Sequence, residues 1–348
     1  MSSLEIPESM PAEILEKLPV PEPLGALQLD AHARQIAVEI EIVPQTRDRS
    51  AAFRRAFEAD VSTIQLAYDL SVGWENRKDA CVPIAEWLLD NFYVVQEQIR
   101  DIREHMPSAF FRELPTPADG VTRVHRVARE LVSHCDNALD EELVVRFVDQ
   151  FQVNAELTIG ETWAFPVMLR LVLIENLSAI CSQLVQEYRS LRDVSEILAA
   201  WERDARFQFP DGSSLRCAPT VIALDELLRE RGSEHADARV SLDRHLQGLG
   251  WNLIELRKFE QHRLAANRVS MGNIITSMRL LGSLDWVSFF ERTNRSERIL
   301  RRDPVQMYEQ MDFPSRNRYR DVIEELSKCS RATETEIAEH ALRLAHIV

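Results

Sequence analysis

Residues 157–177, with the sequence LTIGETWAFPVMLRLVLIENL, form the most apolar stretch of the chain and constrain its fold more than any other segment. A membrane-spanning helix needs about 20 consecutive apolar residues. This stretch carries Glu161, Arg170 and Glu175, and each charge in mid-membrane would cost roughly 3 kcal/mol on insertion scales. We therefore expect a buried core helix here. No other window is long and apolar enough to predict a transmembrane segment.

Local signals inside this stretch predict where the helix begins. Thr158 and Glu161 have the spacing of a capping box, with Thr158 as the N-cap residue, and Thr333 and Glu336 have the same spacing at the start of the last predicted helix. Pro166 lies too far along for the first turn of a helix. We expect it to kink the helix or to split it in two, because proline removes a backbone hydrogen bond.

Apolar residues at helical spacing recur along most of the chain, and the strand–helix alternation that builds a parallel sheet is missing. The segment 29–44 alternates isoleucines as a strand would. We nevertheless predict a helix there, because Leu29, Ala33, Ile36 and Ile40 follow helical spacing. The chain is thus predicted to be all-α, an irregular multi-helix array of about ten or more helices. Further predicted helices include 121–135, 140–153, 219–231, 235–249, 251–267, and a final pair at 314–330 and 333–348.

Two breaks in this pattern predict the domain organisation. Residues 1–24 contain five prolines and no basic, apolar leader, so we expect a Pro-rich, poorly ordered tail that is not a signal peptide. Residues 207–219 (FQFPDGSSLRCAP) interrupt the helices and predict a connecting loop. This loop would join one helical lobe, 25–206, to a second, 220–348.

The charge and cysteine content exclude several classes of protein. The net charge of −15 disfavours nucleic acid and anionic lipid as partners. Only four of the 41 basic residues are lysines, and arginine favours fixed bidentate pairs with carboxylates, so we expect many such pairs between helices. The five cysteines are widely spaced without a CxxC pair, which indicates a reducing compartment and argues against a structural zinc site.

Motifs that carry catalysis are missing from the sequence. It contains no glycine-rich phosphate loop, no GxSxG elbow, no HExxH helix and no Asp-x-Asp pair. The nine histidines show no ligand-like spacing. We therefore predict no catalytic residue, no metal site and no cofactor.

Two places in the sequence could form a polar site. On the apolar stretch, Trp163 lies near carboxylates and amides, a combination that binds sugars by stacking and hydrogen bonding. The favoured interpretation is a buried helix in which Arg170 pairs with a carboxylate of another helix and Glu161 caps the N-terminus, because unpaired buried charge is too costly.

The second place is the segment SMGNIITSMRLLGSLDW, residues 270–286, whose small polar residues would line one helix face. Gly272 and Gly282 would permit close helix approach, and a tightly packed seam between helices is the favoured interpretation. The candidate polar or saccharide-contact residues from both places are Glu161, Trp163, Arg170, Glu175, Asn176, Asn273 and Arg279.

Four long segments together resemble one family. They are AEWLLDNFYVVQEQIRDIREHMPSAFFRELP at 85–115, LTIGETWAFPVMLRLVLIENL at 157–177, NRVSMGNIITSMRLLGSLDWVSFFERT at 267–293 and ILRRDPVQMYEQMDFPSRNRYRDVIEELSK at 299–328. In order and spacing, from about residue 25 onward, they resemble the N-terminal helical region of bacterial cyclic β-1,2-glucan synthases, which are glycosyltransferase-family proteins.

The resemblance implies a role in building β-1,2-glucan from UDP-glucose. In that family the helical region precedes membrane spans and a transferase domain, neither of which this sequence shows. Our first hypothesis is a non-catalytic accessory or scaffold region, either a truncated gene product or a split subunit. It would bind the transferase portion or the glucan chain at the cytoplasmic face of the inner membrane. The alternatives are a glucan-handling enzyme using Glu161, Arg170 and Glu175, and a free-standing helical interaction protein.

Overall fold

The computed structural model describes residues 23–42, 50–75, 83–106, 108–203, 218–230, 236–248, 250 and 252–346. Within these residues the fold consists of fifteen α-helices without a sheet, which confirms the predicted all-α class. One isolated antiparallel β-bridge joins Ile42 to Pro117. The helices are α1 Ala26–Glu39, α2 Ser50–Glu75, α3 Pro83–His105, α4 Ser108–Glu113, α5 Arg123–His134, α6 Glu141–Phe151, α7 Ile159–Arg203, α8 Ala218–Glu230, α9 Ala236–Gly248, α10 Leu253–Ser283, α11 Trp286–Thr293, α12 Arg295–Leu300, α13 Met307–Gln310, α14 Phe313–Cys329 and α15 Glu334–Ala345.

The apolar stretch forms the first half of α7, a continuous helix of 45 residues. Pro166 lies inside this helix and does not split it. Among the described residues, α7 is the helix whose length and composition would allow it to cross a membrane, over Ile159–Ala199. However, 83% of its most apolar window is buried within the molecule, which fits the predicted core helix.

Side chains cap several helices, because the first backbone N–H groups of a helix have no partner inside it. Both predicted capping boxes are present. The Glu161 N–H donates to Thr158 Oγ1 (3.1 Å) and the Thr158 N–H donates to Glu161 Oε2 (3.0 Å). Thr333 and Glu336 make the same reciprocal pair at the start of α15.

Helix α1 is shorter than the sequence pattern suggested. It ends at Glu39, and Ile40 has an extended backbone. The alternating isoleucines of this segment therefore belong partly to an extended piece of chain that reaches the bridge at Ile42.

The chain divides into two compact units, and each collects separate stretches of sequence. Unit one contains residues 60–92 and 177–272. Unit two contains residues 21–59, 93–176 and 273–348. The predicted division into sequential lobes remains a prediction. Residues 207–217 of the expected loop and 1–22 of the expected tail lie outside the described residues, and positions 218 and 219 belong to α8.

Unit one has an aliphatic core made by the end of α7, the start of α10, and helices α8 and α9. Its fully buried members include Val194, Val221, Leu224, Leu228 and Leu242. Burying such side chains stabilises the fold by roughly 1.5–3 kcal/mol each.

A buried carboxylate lies beside this core. Asp225 pairs with Arg229 (2.9 Å), with Arg257, and more distantly with Arg239 (3.8 Å). On α10, Arg263 similarly joins Glu187 (2.6 Å) and Glu260. These contacts confirm the expectation that arginine would link helices through carboxylates.

Unit two contains an ionic cluster between α12 and α14 in which Glu297 and Arg320 are fully buried. Glu297 accepts hydrogen bonds from the Tyr308 hydroxyl (2.7 Å) and from Arg301 Nε (2.9 Å). The Arg320 guanidinium lies over the rings of Phe290 and Phe313, 4.9 and 4.6 Å from their centroids. Burial and the neighbouring Glu297 charge raise the pKa of Tyr308 far above its usual range.

Candidate functional site

Glu161 lies at the first turn of α7 and is completely buried. Besides closing the capping box, it pairs with Arg123 at the start of α5, whose Nε lies 2.8 Å from Glu161 Oε1 and whose Nη2 contacts Oε2. Arg123 also donates to the Glu156 carbonyl (2.8 Å). The ion pair with Arg123 fastens α7 to α5.

Trp163 packs against aromatic side chains. Its ring stacks on Phe290 with 4.3 Å between centroids and an interplanar angle of 13°, and it meets Phe313 edge-on at 5.9 Å. Aromatic pairs in these arrangements are worth about 0.5–1.5 kcal/mol beyond their burial. One face of the indole ring is thus occupied by the core cluster that contains Phe290.

Arg170 is buried on the face of α7 opposite Glu161. Its Nη2 donates to the Leu281 carbonyl (2.8 Å), its Nε donates to Gln98 Oε1 (3.0 Å), and Nε lies 3.6 Å from Asp101 Oδ2. Burial lowers the pKa of Arg170, while the negative charge of Asp101 opposes that shift. The predicted pairing of Arg170 with a carboxylate from another helix is confirmed, with Asp101 of α3 as that partner.

Glu175 faces α5. Its Oε1 lies 3.1 Å from His125 Nε2, and its Oε2 accepts a hydrogen bond from Arg129 Nη2 (3.0 Å). Burial would raise the pKa of Glu175, but the contacts with His125 and Arg129 outweigh it and leave that pKa below its usual value. The carboxylate is therefore held ionised inside an ion-pair cluster.

Asn176 and Asn273 meet at one turn that follows α5. The Asn176 amide donates to Asn137 Oδ1 (2.6 Å), and the Asn273 amide donates to the Asp136 carbonyl (2.9 Å). Asp136 and Asn137 both have left-handed backbones, with φ of 49° and 62°. Asn and Asp tolerate this conformation better than other residues with a side chain.

Ser277 of α10 completes that turn. Its hydroxyl donates to the Asn137 carbonyl (2.6 Å) and accepts from the Leu139 N–H (2.9 Å). The small polar residues of α10 are thus part of a packed seam, as the favoured interpretation predicted. We call Asp136, Asn137, Asn176, Asn273 and Ser277 the α5–α6 corner.

Arg279, the last candidate, is exposed, and its Nη2 lies 3.3 Å from the hydroxyl of Tyr93. The two glycines of this helix do not meet a close backbone. A Cβ added at Gly282 would lie 3.9 Å from the Gln98 side chain, and one at Gly272 would lie 4.0 Å from the Trp87 side chain. Both distances are ordinary van der Waals contacts.

The seven candidate residues therefore lie in separate places. Glu161 and Glu175 share one face of α7 but are about 21 Å apart along its axis, since each residue advances about 1.5 Å. Arg170 points to the other face, toward α3 and α10. The structure brings together only Asn176 and Asn273, at the α5–α6 corner.

The structure also brings together a group of possible metal ligands that the sequence patterns did not predict. His32, Glu130 and His134 lie in unit two with their ligand atoms within 4.8 Å of one another. The spacing of Glu130 and His134 at i and i+4 on α5 was visible in the sequence. His32 is 98 residues from Glu130, so no local pattern could have joined it to them.

No family model matches this chain. Sequence similarity to a curated protein nevertheless shows that the chain contains a region related to a bacterial glucan synthase, which confirms the predicted resemblance. That relative is the cyclic beta-(1,2)-glucan synthase NdvB of Rhizobium meliloti (strain 1021), with 35% identity over 274 residues. The match covers 75% of this chain, but it spans only 10% of the length of NdvB.

Proposed function

We propose that this chain is a non-catalytic docking region of a cyclic β-1,2-glucan synthase and binds its transferase portion at the cytoplasmic face of the inner membrane. The relative is about ten times longer than the matched region, so most of such a synthase would lie outside a region like this one. A helical region of this kind needs a surface on which the remainder can dock.

The observation that carries the proposal is an exposed apolar stripe on α14. Tyr319, Val322 and Leu326 are 51, 53 and 51% exposed, and Cys329 continues the row. At about 100° per residue these four positions fall within about 80° of one helix face. Exposed contiguous apolar surface of this kind marks sites where another protein packs.

The polar candidates support a structural role. Glu161, Arg170 and Glu175 are each engaged by side chains of neighbouring helices. They belong to three different ion pairs, and Arg170 lies on the face of α7 opposite the two glutamates. An acid–base pair would need its groups to meet at one reacting atom.

The first test is genetic. The reading frame downstream of the codon for Val348 should encode, in frame or as an adjacent gene, membrane spans and a glycosyltransferase. A genome without such a sequence nearby would favour a free-standing interaction protein and contradict the proposal.

The second test is co-purification of the tagged chain with that transferase portion. We expect Val322→Asp together with Leu326→Asp to reduce the recovered partner by about tenfold or more, because a buried unpaired carboxylate in an interface is costly. Val240→Asp, at an exposed position of α9, is the matched control and should leave recovery unchanged. Equal recovery for stripe and control variants would overturn the docking surface.

The third test is activity. The purified chain should show no turnover of UDP-glucose or of linear β-1,2-glucan above background. Turnover that Glu175→Gln abolishes would instead establish an enzyme and refute the non-catalytic role.

A further inference from the structure

We infer that His32, Glu130 and His134 form a binding site for a divalent transition-metal ion of the zinc type, which joins α1 to α5. His32 Nε2 lies 2.8 Å from Glu130 Oε2, and His134 Nε2 lies 3.6 Å from the same oxygen. All three ligand atoms lie within 4.8 Å of one another. Two imidazoles and one carboxylate are a common ligand set for such ions, with water in the remaining position.

The spacing is within reach of metal coordination. Ligands of a tetrahedral zinc ion lie about 2.0–2.1 Å from the metal, so they are roughly 3.3 Å from one another. Glu130 and His134 lie one turn apart on α5 and project from the same side of the helix. Small rotations of the imidazoles would bring all three atoms to coordination distance.

The backbone around the three residues is held in place. The Leu24 N–H donates to the His134 carbonyl (2.9 Å), which ties the start of α1 to the end of α5. Two residues before His32, Asp30 forms a bidentate pair with Arg146 of α6, with 2.8 Å between Nε and Oδ1. A site on elements fixed in this way loses little conformational freedom when it binds an ion.

Charge also favours a cation here. Glu161 and Glu175, which contact α5 from α7, each pair with an arginine. The ion contacts of Glu130 are instead with the imidazoles of His32 and His134. The rings of His32 and His134 meet edge-on at 4.3 Å, and all three side chains are partly buried. A divalent cation bound here would place its positive charge beside the Glu130 carboxylate and use both imidazole rings as donors.

The first experiment is a titration of the full chain, freed of metal by a chelator and without a polyhistidine tag. Isothermal calorimetry with Zn²⁺ should show one ion bound per chain. Co²⁺ should give the visible absorption of a tetrahedral or five-coordinate site. His32→Gln and His134→Gln should each weaken Zn²⁺ binding by roughly tenfold or more, since even the loss of a residue that only supports a ligand costs 10–100-fold.

His105→Gln is the matched control, because His105 is exposed and its Nδ1 contacts the Asp101 carbonyl (2.9 Å). All titrations use a Cys329→Ser background, which removes the exposed thiol. Unchanged affinity in both His32→Gln and His134→Gln, or a stoichiometry well below one, would overturn the site.

A second measurement needs no variant that might fold poorly. Diethyl pyrocarbonate modifies histidines, and mass spectrometry reports which ones react. In the chain without substitutions, we expect Zn²⁺ to protect His32 and His134 from reaction with diethyl pyrocarbonate, while His105 and His340 stay reactive. Protection that is equal at all four histidines, or absent at His32 and His134, would contradict the proposal.

Discussion

Arg320 Nη1 lies 3.4 Å from Glu297 Oε2, and both side chains are fully buried. Both charged groups are desolvated, and the rings of Phe290 and Phe313 cover the guanidinium. Desolvating two charges costs several kcal/mol each, which only their mutual attraction and added hydrogen bonds recover. Removing only one partner of this pair should therefore lower the free energy of unfolding strongly, because the other charge stays buried without compensation.

Replacing Arg320 with methionine should lower the free energy of unfolding by about 3–5 kcal/mol, because Glu297 would lose one of its compensating charges while remaining buried. Urea titration followed by circular dichroism measures this loss. Arg318→Met changes an exposed arginine of the same helix and should stay within about 0.5 kcal/mol of the unmodified chain. Similar losses for the two variants would contradict the assigned role of Arg320.

The pair formed by Arg123 and Glu161 should be strongly interdependent. A double-mutant cycle with Arg123→Met and Glu161→Gln is expected to give an interaction energy on the order of 1–3 kcal/mol. Arg103 and Glu58 form an exposed pair with 2.6 Å between Nη2 and Oε2, and their cycle should give less than about 1 kcal/mol. The idea fails if the buried pair shows no larger interaction than the exposed one.

Glu334 predicts a specific dependence of stability on pH. Its Oε2 accepts the Ile159 N–H at 2.7 Å, but burial dominates and raises the pKa of Glu334 from 4.5 to about 7. Because the folded state binds the proton more tightly, this stabilising contribution is complete below pH 4.5 and is lost as the pH rises through about 7. The loss is at most about 3 kcal/mol, at 1.36 kcal/mol per unit of pKa.

Urea unfolding of the unmodified chain and of Glu334→Gln between pH 4 and pH 8 tests this expectation. The stability of Glu334→Gln relative to the unmodified chain should increase with pH over that window. Glu339→Gln, an exposed change on the same helix, should give a difference that does not vary with pH. A constant difference for Glu334→Gln as well would refute the assignment.

Two neighbouring positions on α14 should differ in how strongly truncation to alanine lowers the free energy of unfolding. Val322 is exposed, whereas Ile323 is 4% exposed and belongs to the core cluster of unit two. Val322→Ala should change the free energy of unfolding by less than about 0.5 kcal/mol, and Ile323→Ala should lower it by about 2–5 kcal/mol. A large loss for Val322→Ala would mean that the stripe is part of the folded core rather than a docking surface.

The features that the sequence predicted correctly depend on near neighbours in the chain. The capping boxes at Thr158 and Thr333 join residues three apart, and the apolar face of α7 repeats within two turns. Residue 267 was predicted to end a helix, but α10 continues to Ser283. The position of Pro166 was visible, but the surrounding packing that keeps α7 continuous was not.

The candidate site was predicted less completely, because its contacts connect distant parts of the sequence. That Arg170 would meet a carboxylate followed from the cost of burying charge, whereas its partner Asp101 could not be named. Arg320 and Glu297 are 23 positions apart on separate helices, and no spacing rule relates them. Sequence alone indicated which residues needed partners, and the packing of helices decided which partners they received.

Two residues of the α5–α6 corner, Asp136 and Asn137, look like an ordinary linker in the sequence. Asn137 is nearly inaccessible to solvent; its side-chain oxygen accepts a hydrogen bond from the Asn176 amide of α7, and its carbonyl accepts one from the Ser277 hydroxyl of α10. Linkers between helices are usually chosen for inserting fluorescent proteins, affinity tags or new chain termini. Here an insertion would break contacts with α7 and α10 as well as the link between α5 and α6, so labels and new chain termini should be placed elsewhere in this protein.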